Sequence, residues 1–356
     1  MNKFLMSGNS VVAEAAIRAG CQCYFGYPIT PQNELTEYMA KHLSRREGCA
    51  FVQAESEISA INMVFGASLT GARAMTSSSS PGISLKQEGI SYLAVCELPA
   101  VIVNMQRGGP GLGSISASQS DYFQATRGGG HGDYRTIVLA PESGQELADL
   151  TKKAFDLADR YRTPLVILGD GMLGQMMEPV EFHEAATKKL PEKSWALKGA
   201  QKGPSRIIKS FTSIPGELEE INWRLFRKYR LIEKEEVEYE TYMVEDAEMV
   251  VVAYGIAARI AKGSIKKARE NNLKVGMLRP ITLWPFPSEK LMDLAKRIKH
   301  FFVFEMNMGQ MVEDVRLALE GKGQISFYGR PGGVIPTPSE IFRIISRHYY
   351  QKGLNR

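Results

Sequence analysis

The sequence predicts an α/β protein in which mainly parallel sheets are covered by helices on both faces. Short apolar runs with the character of buried strands alternate with longer amphipathic stretches of helical periodicity. The chain has 356 residues, enough for two or three domains with full cores. Its 44% hydrophobic and 23% charged residues are ordinary for a globular protein in water.

The first α/β unit is expected to cover residues 1–185. Its predicted helices are Asn9–Ala19, Pro31–Leu43, Ser56–Ser68, Glu88–Ala94 and Ser143–Tyr161. Its predicted strands are Cys23–Gly26, Ala50–Gln53, Ala72–Thr76, Pro99–Met105, Thr136–Ala140 and Pro164–Leu168. Strands that alternate with helices in this way indicate a parallel sheet, because each helix returns the chain to the same end of the sheet.

A crossing segment and a second α/β unit are expected to follow. Residues 186–245 break the alternation with scattered lysines and one helix at Leu218–Tyr229, which predicts a solvated connection. The second unit, residues 246–356, has predicted strands at Met249–Tyr254, Lys274–Leu278 and Phe301–Glu305 and a helix at Ala257–Asn271. A stretch of about 110 residues is long enough for one small domain.

Charge and composition exclude several function classes. The net charge of +5 is modest and the basic residues are spread out, so nucleic-acid binding is not predicted. The N-terminus has no signal-peptide pattern, and no apolar run approaches the ~20 residues of a membrane span. A cytoplasmic protein without a membrane partner is therefore expected. The four cysteines form no C-x-x-C pattern, which predicts reduced thiols and places any iron–sulfur cluster on another chain.

Ligands of open parallel sheets bind beyond the carboxyl ends of the strands, which directs attention to the loop GYPITP. Two prolines fix the backbone of this loop before any ligand arrives. Thr30 supplies a hydroxyl just before a helix N-terminus, where a carboxylate would meet free N–H groups. The alternative is a plain turn with Thr30 as the N-cap of that helix.

Arg107 and Glu57 are further candidates at the same edge. Arg107 follows a buried strand and opens a Gly-Gly-Pro-Gly loop, where a guanidinium can bind a carboxylate through two hydrogen bonds. Glu57 begins a helix among apolar residues, where a carboxyl group could exchange a proton with a heterocycle nitrogen. The alternatives are a surface arginine in a flexible loop and an ordinary glutamate in the first turn of a helix.

Other polar motifs are weaker evidence for a functional site. His131 lies between glycines, and a supporting role is favoured over a catalytic one. Asp170 lies in a Gly-Asp-Gly sequence that begins a thiamine diphosphate metal motif, but the next asparagine, Asn222, is too far along the chain. No metal site is therefore expected here. The glycine-rich loops match neither a dinucleotide fingerprint nor a Walker motif.

Five motifs in this order resemble the alpha subunit of the 2-oxoacid:ferredoxin oxidoreductases: YPITP, AESE before a helix, TSSSSPG, NMQRGGPG and GGGHGDY. The similarity covers nearly the whole chain. Within the family, YPITPQNE and SSSSPGISLKQEGISY are most similar to the branched-chain, 2-oxoisovalerate-type members. The resemblance implies a pyrimidine-binding domain of the thiamine diphosphate fold, followed by a transketolase C-terminal-like domain.

The resemblance also implies roles for residues. Glu57 matches the catalytic glutamate that bonds N1′ of the aminopyrimidine, and Thr30 and Arg107 match the residues that hold the substrate carboxylate. Pro28 and Ser79 fall within the cofactor-binding motifs together with Glu57. The implied reaction converts 2-oxoisovalerate and coenzyme A to isobutyryl-CoA and CO2, with electrons passing to ferredoxin.

Partner chains are implied as well, because this sequence contains neither a diphosphate–magnesium site nor cluster cysteines. In the family these lie on a beta subunit and on a small ferredoxin-like subunit, beside a gamma-type subunit. Thiamine diphosphate would be shared with the beta subunit. Two alternatives stay open: a 2-oxoglutarate- or pyruvate-type member of the family, and a non-catalytic scaffold chain of such a complex.

Overall fold

The computed structural model describes residues 3–183, 192–199 and 206–354. The strands are β1 (Phe4–Ser7), β2 (Cys23–Gly26), β3 (Ala50–Gln53), β4 (Ala74–Ser78), β5 (Ala100–Gly108), β6 (Ser114–Ala117), β7 (Ile137–Leu139), β8 (Pro164–Asp170), β9 (Met177–Val180), β10 (Tyr239–Tyr242), β11 (Met249–Val252), β12 (Val275–Pro280), β13 (Thr282–Trp284), β14 (His300–Glu305) and β15 (Gln324–Gly329). The helices are α1 (Gly8–Arg18), α2 (Asn33–His42), α3 (Glu57–Leu69), α4 (Ser80–Val95), α5 (Tyr122–Thr126), α6 (Gly144–Tyr161), α7 (Gly171–Gln175), α8 (Glu217–Glu235), α9 (Gly255–Glu270), α10 (Ser288–Ala295), α11 (Met311–Leu319) and α12 (Pro338–Gln351).

The first sheet has the order β13-β7-β8-β5-β4-β2-β3, and β6 pairs with β5. The pairs from β7 to β3 are parallel, and β13 is antiparallel at the edge beside β7. The central strands β4, β5 and β8 are buried along their whole length, as expected for a sheet covered on both faces. The apolar runs of β5 and β8 predict this burial, whereas β4 ends in the polar residues Thr76, Ser77 and Ser78. Helix α1 packs against α2 and α6, and α3 packs against α4.

The second sheet has the order β10-β12-β11-β14-β15 and is parallel except for β10. Two strands do not follow the domain limits predicted from the sequence. β10 lies within the predicted crossing segment, 186–245, but belongs to the second sheet, and β13 lies within 246–356 but closes the first sheet. Both are edge strands: β10 pairs with the backbone N–H and C=O groups of β12, and β13 pairs with those of β7, which would otherwise be an open edge.

Several element limits differ from the sequence prediction. Helix α4 begins at Ser80 rather than at Glu88, because Pro81 lies in the first turn, where a helix tolerates proline. Helix α2 begins at Asn33 rather than at Pro31, with Gln32 as N-cap. Strand β5 continues through Arg107 to Gly108. None of the helices in the described ranges is both long and apolar enough to cross a bilayer.

The crossing segment is less solvated than its composition predicts. Helix α8 buries Leu225, Tyr229 and Ile232, and Lys193 forms a 2.6 Å ion pair with the buried Asp159. Residues 186–191 and 200–205 of the predicted crossing segment, and the predicted end of the first unit at residue 185, lie outside the described part of the chain. Helix α8 and Lys193 therefore pack on the first unit, whereas β10 of the same segment pairs with the second sheet.

Gln119 connects the two units directly. Its side-chain amide donates to the Tyr254 carbonyl at 2.8 Å, and its side-chain oxygen accepts from the Met306 amide at 3.0 Å. Tyr254 and Met306 lie just beyond the carboxyl ends of β11 and β14. The second sheet thus directs its carboxyl end to the loop that precedes α5.

Candidate active site

The structure brings the predicted site residues to one edge of the first sheet. Strands β5, β4, β2 and β3 are neighbours in that order and run parallel. Arg107 lies at the end of β5, Ser79 follows β4, the YPITP loop follows β2, and Glu57 begins the helix that follows β3. The carboxyl ends of parallel strands therefore place four separate sequence motifs together.

The YPITP loop is held from several sides. The Gln32 side-chain oxygen accepts a 2.5 Å hydrogen bond from Ser77, and Asn9 donates to the Pro31 carbonyl at 2.8 Å. Thr30 is half-buried, whereas Pro28 is exposed. Because Gln32 is the N-cap of α2, the alternative interpretation of Thr30 as that N-cap is wrong.

Arg107 is a buried arginine with an unused donor. The side chain is 8% exposed, so the alternative of a flexible surface arginine is wrong. Its guanidinium donates to the Thr30 carbonyl at 2.9 Å and to the Leu112 carbonyl at 3.1 Å. Within the described residues, Nε has no hydrogen-bond partner and no carboxylate lies within ion-pair distance. The charge is thus available to an anionic ligand.

Glu57 is a buried carboxylate that accepts one hydrogen bond and forms one ion pair. It is 3% exposed at the first position of α3, and its Oε1 accepts a 2.5 Å hydrogen bond from the Ser78 hydroxyl. Its Oε2 lies 2.5 Å from Nζ of Lys86, which is fully buried. Desolvation lowers the pKa of Lys86, and the charge of Glu57 opposes that shift.

Lys86 was missed in the sequence analysis, which predicted apolar surroundings for Glu57. A signal was present: Ile83, Lys86, Gln87 and Ile90 have the spacing of one helical face. All four side chains are buried. A lysine on the buried face of a helix requires a partner, and tertiary structure supplies it in Glu57.

The residues around Glu57 are suited to binding a polar heterocyclic ring. The buried Ser79 hydroxyl has no hydrogen-bond partner among the described residues. Gly82 lies directly against the carboxylate, since a Cβ there would be 2.1 Å from Ser78 Oγ and 2.4 Å from Glu57 Oε1. Gly82 therefore lets α4 pack against the carboxylate, and an unpaired hydroxyl beside a buried acid–base group suits an aminopyrimidine.

Asp121, another residue that the sequence analysis missed, fixes the position of the start of α4. Its Oδ2 accepts hydrogen bonds from Ser80 Oγ at 2.6 Å and from Asn104 Nδ2 at 2.8 Å. Ser80 Oγ also accepts from the backbone amide of Arg107 at 3.0 Å. Burial raises the pKa of Asp121. This cluster therefore couples the end of β5 to the serine run that follows β4.

His131 and Asp170 have other surroundings. His131 is exposed, and its ring lies edge-on to Tyr92 in the C-terminal half of α4. Asp170 accepts hydrogen bonds from the amides of Met172 and Leu173 at 2.9 and 3.1 Å and so caps α7. Burial raises the pKa of Asp170 to about 6. No group of three or more His, Cys, Asp or Glu side chains in the described ranges is arranged to hold a metal ion.

Fold and site together define the class of protein, a thiamine diphosphate-binding subunit of an oxidoreductase. Residues 14–258 match the family model described as pyruvate flavodoxin/ferredoxin oxidoreductase, thiamine diphosphate-binding. Residues 247–341 match the model described as pyruvate:ferredoxin oxidoreductase core domain II. The chain belongs to this family of 2-oxoacid:ferredoxin oxidoreductases.

Relatives of known name support the assignment. The chain is 51% identical to ketoisovalerate oxidoreductase subunit VorB of Methanothermobacter marburgensis, over 96% of both chains. It is 36% identical to 2-oxoglutarate synthase subunit KorA of Methanothermobacter thermautotrophicus, over 96% of this chain and 98% of that one. The family resemblance predicted from the motifs is therefore confirmed.

Solved structures confirm the predicted fold class. The 2-oxoglutarate:ferredoxin oxidoreductase of Magnetococcus marinus, solved with 2-oxoglutarate, coenzyme A and succinyl-CoA, matches with a TM-score of 0.84 and 28% identity. The match covers 97% of this chain and 65% of that chain, so the present chain spans about two thirds of that enzyme's length. A split-gene transketolase matches with a TM-score of 0.60 at 13% identity, which shows the fold alone.

Proposed function

We propose that this chain is the alpha-type subunit of a coenzyme A-dependent 2-oxoacid:ferredoxin oxidoreductase. Its substrate would be 2-oxoisovalerate, converted to isobutyryl-CoA and CO2 with electrons to ferredoxin. The observation that carries the proposal is the grouping of Glu57, Ser79, Thr30 and Arg107 at one sheet edge. The branched-chain substrate is supported by 51% identity to ketoisovalerate oxidoreductase subunits against 35–38% to 2-oxoglutarate synthase subunits.

Glu57 and its neighbours would bind the aminopyrimidine ring. Thiamine diphosphate, when bound, supplies the carbon nucleophile and the electron sink for breaking the bond between the keto carbon and the carboxylate. Glu57 would hold and move a proton at N1′ of the ring. The buried Ser79 hydroxyl has an unused hydrogen bond for the ring, and Gly82 lets the start of α4 pack directly against the Glu57 carboxylate and so fixes its position. Pro28 would contribute to the rim of this site.

Arg107 and Thr30 would bind the carboxylate of the oxoacid. The guanidinium has one unused donor at Nε, and a carboxylate ligand would satisfy it. Because Arg107 already bonds the Thr30 carbonyl, the two residues have a fixed relation before substrate binds. The Thr30 hydroxyl would donate the second hydrogen bond.

Partner chains would complete the site. Large apolar side chains beside the site residues are exposed in this chain alone, among them Ile58 next to Glu57, Leu85 next to Lys86, and Leu112 in the loop after Arg107. Such surfaces are typical of protein–protein contacts. A beta subunit would carry the diphosphate–magnesium site, and small ferredoxin-like and gamma-type subunits the remaining functions and clusters. Four free cysteines fit a reducing, cytoplasmic compartment.

The test is an anaerobic assay of the complex purified with its native partner chains. Viologen reduction that depends on coenzyme A would be measured with 2-oxoisovalerate, 2-oxoglutarate, pyruvate and an aryl pyruvate. The proposal predicts the highest kcat/KM for 2-oxoisovalerate. A preference for 2-oxoglutarate or pyruvate would retain the enzyme class and overturn the substrate. No activity with any acid from an intact, thiamine-loaded complex would favour the scaffold alternative.

A further inference from the structure

We propose that Lys86 is a positioning residue for the reaction, and that Lys86 and Glu57 act as one acid–base unit. The inference rests on the proposed function and adds a second residue to it. Lys86 would hold the proton that Glu57 delivers to N1′ of the aminopyrimidine and would take it back afterwards. Glu57 remains the group that touches the ring, and Lys86 acts through it.

The contacts of the Lys86 ammonium group are all within the buried site. Its Nζ lies 2.5 Å from Glu57 Oε2 and donates to Thr76 Oγ1 at 2.7 Å and to the Ser77 carbonyl at 3.3 Å. The side chain is fully buried, so no water competes for these three contacts. Of the three partners, only Glu57 is ionisable.

A purely stabilising role explains the lysine poorly. Taking an ammonium and a carboxylate out of water costs several kcal/mol, and apolar residues at such positions are often at least as stabilising. Position 86 lies on a helical face between Ile83 and Ile90, where an apolar side chain would suit the packing. The burial of a charge at this position instead indicates a functional requirement beside Glu57.

The proton balance of the pair suits a relay. A single labile proton lies either on Lys86 Nζ, with Glu57 as carboxylate, or on Glu57 Oε2, with Lys86 as neutral amine. The pair has zero net charge in both forms, so moving the proton within it does not strand a net charge in a buried site. The proton would pass from Lys86 Nζ to Glu57 Oε2 and from there to N1′. Its return along the same path restores the ammonium and the carboxylate.

The pKa of Lys86 supports this relay. Desolvation lowers it, so release of the proton to Oε2 is easier than from an exposed lysine. Tyr24 on β2 is a titratable group near the carboxylate; its buried hydroxyl bonds Ser77 and Thr36, and its pKa is raised to about 12. Tyr24 therefore stays neutral across the working range.

The test uses the assembled complex and the variant Lys86→Met, which keeps an unbranched side chain one atom shorter and removes the charge. Two quantities would be measured without any oxoacid: the Kd for thiamine diphosphate, and the rate at which the C2 proton of bound thiamine diphosphate exchanges with deuterium. We expect exchange per bound cofactor to slow at least 10-fold and to lose its wild-type pH dependence, with Kd changed less than 3-fold.

A matched control is Arg73→Met. Arg73 is also a buried cation, paired with Asp159 at 2.8 Å, but it precedes β4 at the opposite edge of the sheet. Loss of Arg73 should lower stability without changing the exchange rate per bound cofactor. An exchange rate in Lys86→Met equal to wild type would overturn the inference.

The double variant Glu57→Gln with Lys86→Met removes both charges and so avoids an unpaired buried carboxylate. If the two residues act as one unit, it exchanges as slowly as Glu57→Gln alone. Markedly slower exchange in the double variant would show that Lys86 acts independently and would overturn the inference. A wild-type complex that neither binds thiamine diphosphate nor exchanges its C2 proton would instead refute the proposed function itself.

Discussion

Arg107 carries the substrate-binding part of the account at the scale of single residues. Arg107→Ala should raise the KM for the 2-oxoacid roughly 10- to 100-fold, since hydrogen bonds to a charged group contribute about 1.5–3 kcal/mol. The Kd for thiamine diphosphate should stay near wild type, because the guanidinium is assigned to the substrate. Steady-state viologen kinetics and equilibrium cofactor binding measure the two effects.

Arg127 offers a matched control for Arg107. It also precedes a glycine run, here of three residues, but its side chain is exposed and paired with Asp314 at 2.8 Å. Arg127→Ala should leave the KM for the oxoacid unchanged. If Arg107→Ala abolished cofactor binding and left KM unaltered, the assignment of Arg107 to the substrate would be wrong.

Single residues also show what the sequence can predict at the site. The sequence predicts that Glu57, Thr30 and Arg107 lie at one sheet edge because each belongs to a local motif beside a strand end, and the structure places them there. Lys86 and Asp121 were missed because their importance depends on partners far along the chain, Glu57 for Lys86 and Asn104 for Asp121. A lone polar residue in a helix does not reveal which distant group it will meet.

The contact between α4 and α3 gives a prediction at the scale of elements. In Gly82→Ala, the new Cβ would lie within 2.4 Å of both Ser78 Oγ and Glu57 Oε1, so the carboxylate or the helix must shift. We expect thiamine diphosphate affinity or C2 exchange to fall at least 10-fold. Isothermal titration of the complex and deuterium exchange followed by NMR would measure the two quantities.

Gly66 in α3 is the control for a glycine within a helix. It has no atom within 4 Å of an added Cβ. Gly66→Ala should leave cofactor binding unchanged and stabilise the helix by about 0.5–1 kcal/mol. Equal effects of the two substitutions would remove the case for a steric cradle at Gly82.

The cap of α7 should make stability depend on pH. The folded-state pKa of Asp170 is about 6, above its ordinary value of 3.8, so its contribution is complete below 3.8 and is lost as pH rises through 6. Between pH 5 and pH 7 the loss should be about 1 kcal/mol. Asp170→Asn removes the titration, so the apparent Tm of wild type minus that of the variant should fall from pH 5 to pH 7. A constant difference would contradict the raised pKa.

Elements differ in how well the sequence predicts them. The buried parallel strands were found because apolar runs such as Val101–Met105 require cover on both faces. The edge strands β10 and β13 were not, since edge strands have mixed polarity and their sheet is decided by long-range packing. The start of α4 was misplaced because Pro81 and Gly82 indicate a loop by composition, although proline suits a first helical turn.

Arg279 joins the two units at the scale of the whole molecule. It is 2% exposed on β12, binds Glu146 of α6 through two hydrogen bonds of 2.6 and 2.7 Å, and donates to Glu240 of β10 at 2.8 Å. Arg279→Met would remove both hydrogen bonds to Glu146 and one of the two cations paired with Glu240, since Lys262 stays 2.9 Å from that carboxylate. Losing hydrogen bonds to charged groups of this kind costs about 1.5–3 kcal/mol each. We expect a clearly lower apparent Tm in differential scanning calorimetry.

Arg230 provides the comparison on the surface. Its side chain is 68% exposed and pairs with Glu233 at 2.8 Å within one turn of α8. Arg230→Met should cost at most about 1 kcal/mol, as exposed ion pairs do. If the two variants had equal Tm values, the Arg279 cluster would not be the connection that holds the units together.

The central claim is that this chain supplies the acid–base residue of a thiamine-dependent active site. The most direct test replaces the carboxylate of Glu57 by an amide in the assembled complex. Complexes with the wild-type chain and with Glu57→Gln would be assembled anaerobically from the same partner chains, saturated with thiamine diphosphate and assayed with 2-oxoisovalerate, coenzyme A and viologen. The account predicts that both complexes assemble and bind cofactor, and that kcat falls at least about 100-fold in the variant. Turnover near wild type from the cofactor-saturated Glu57→Gln complex would contradict it.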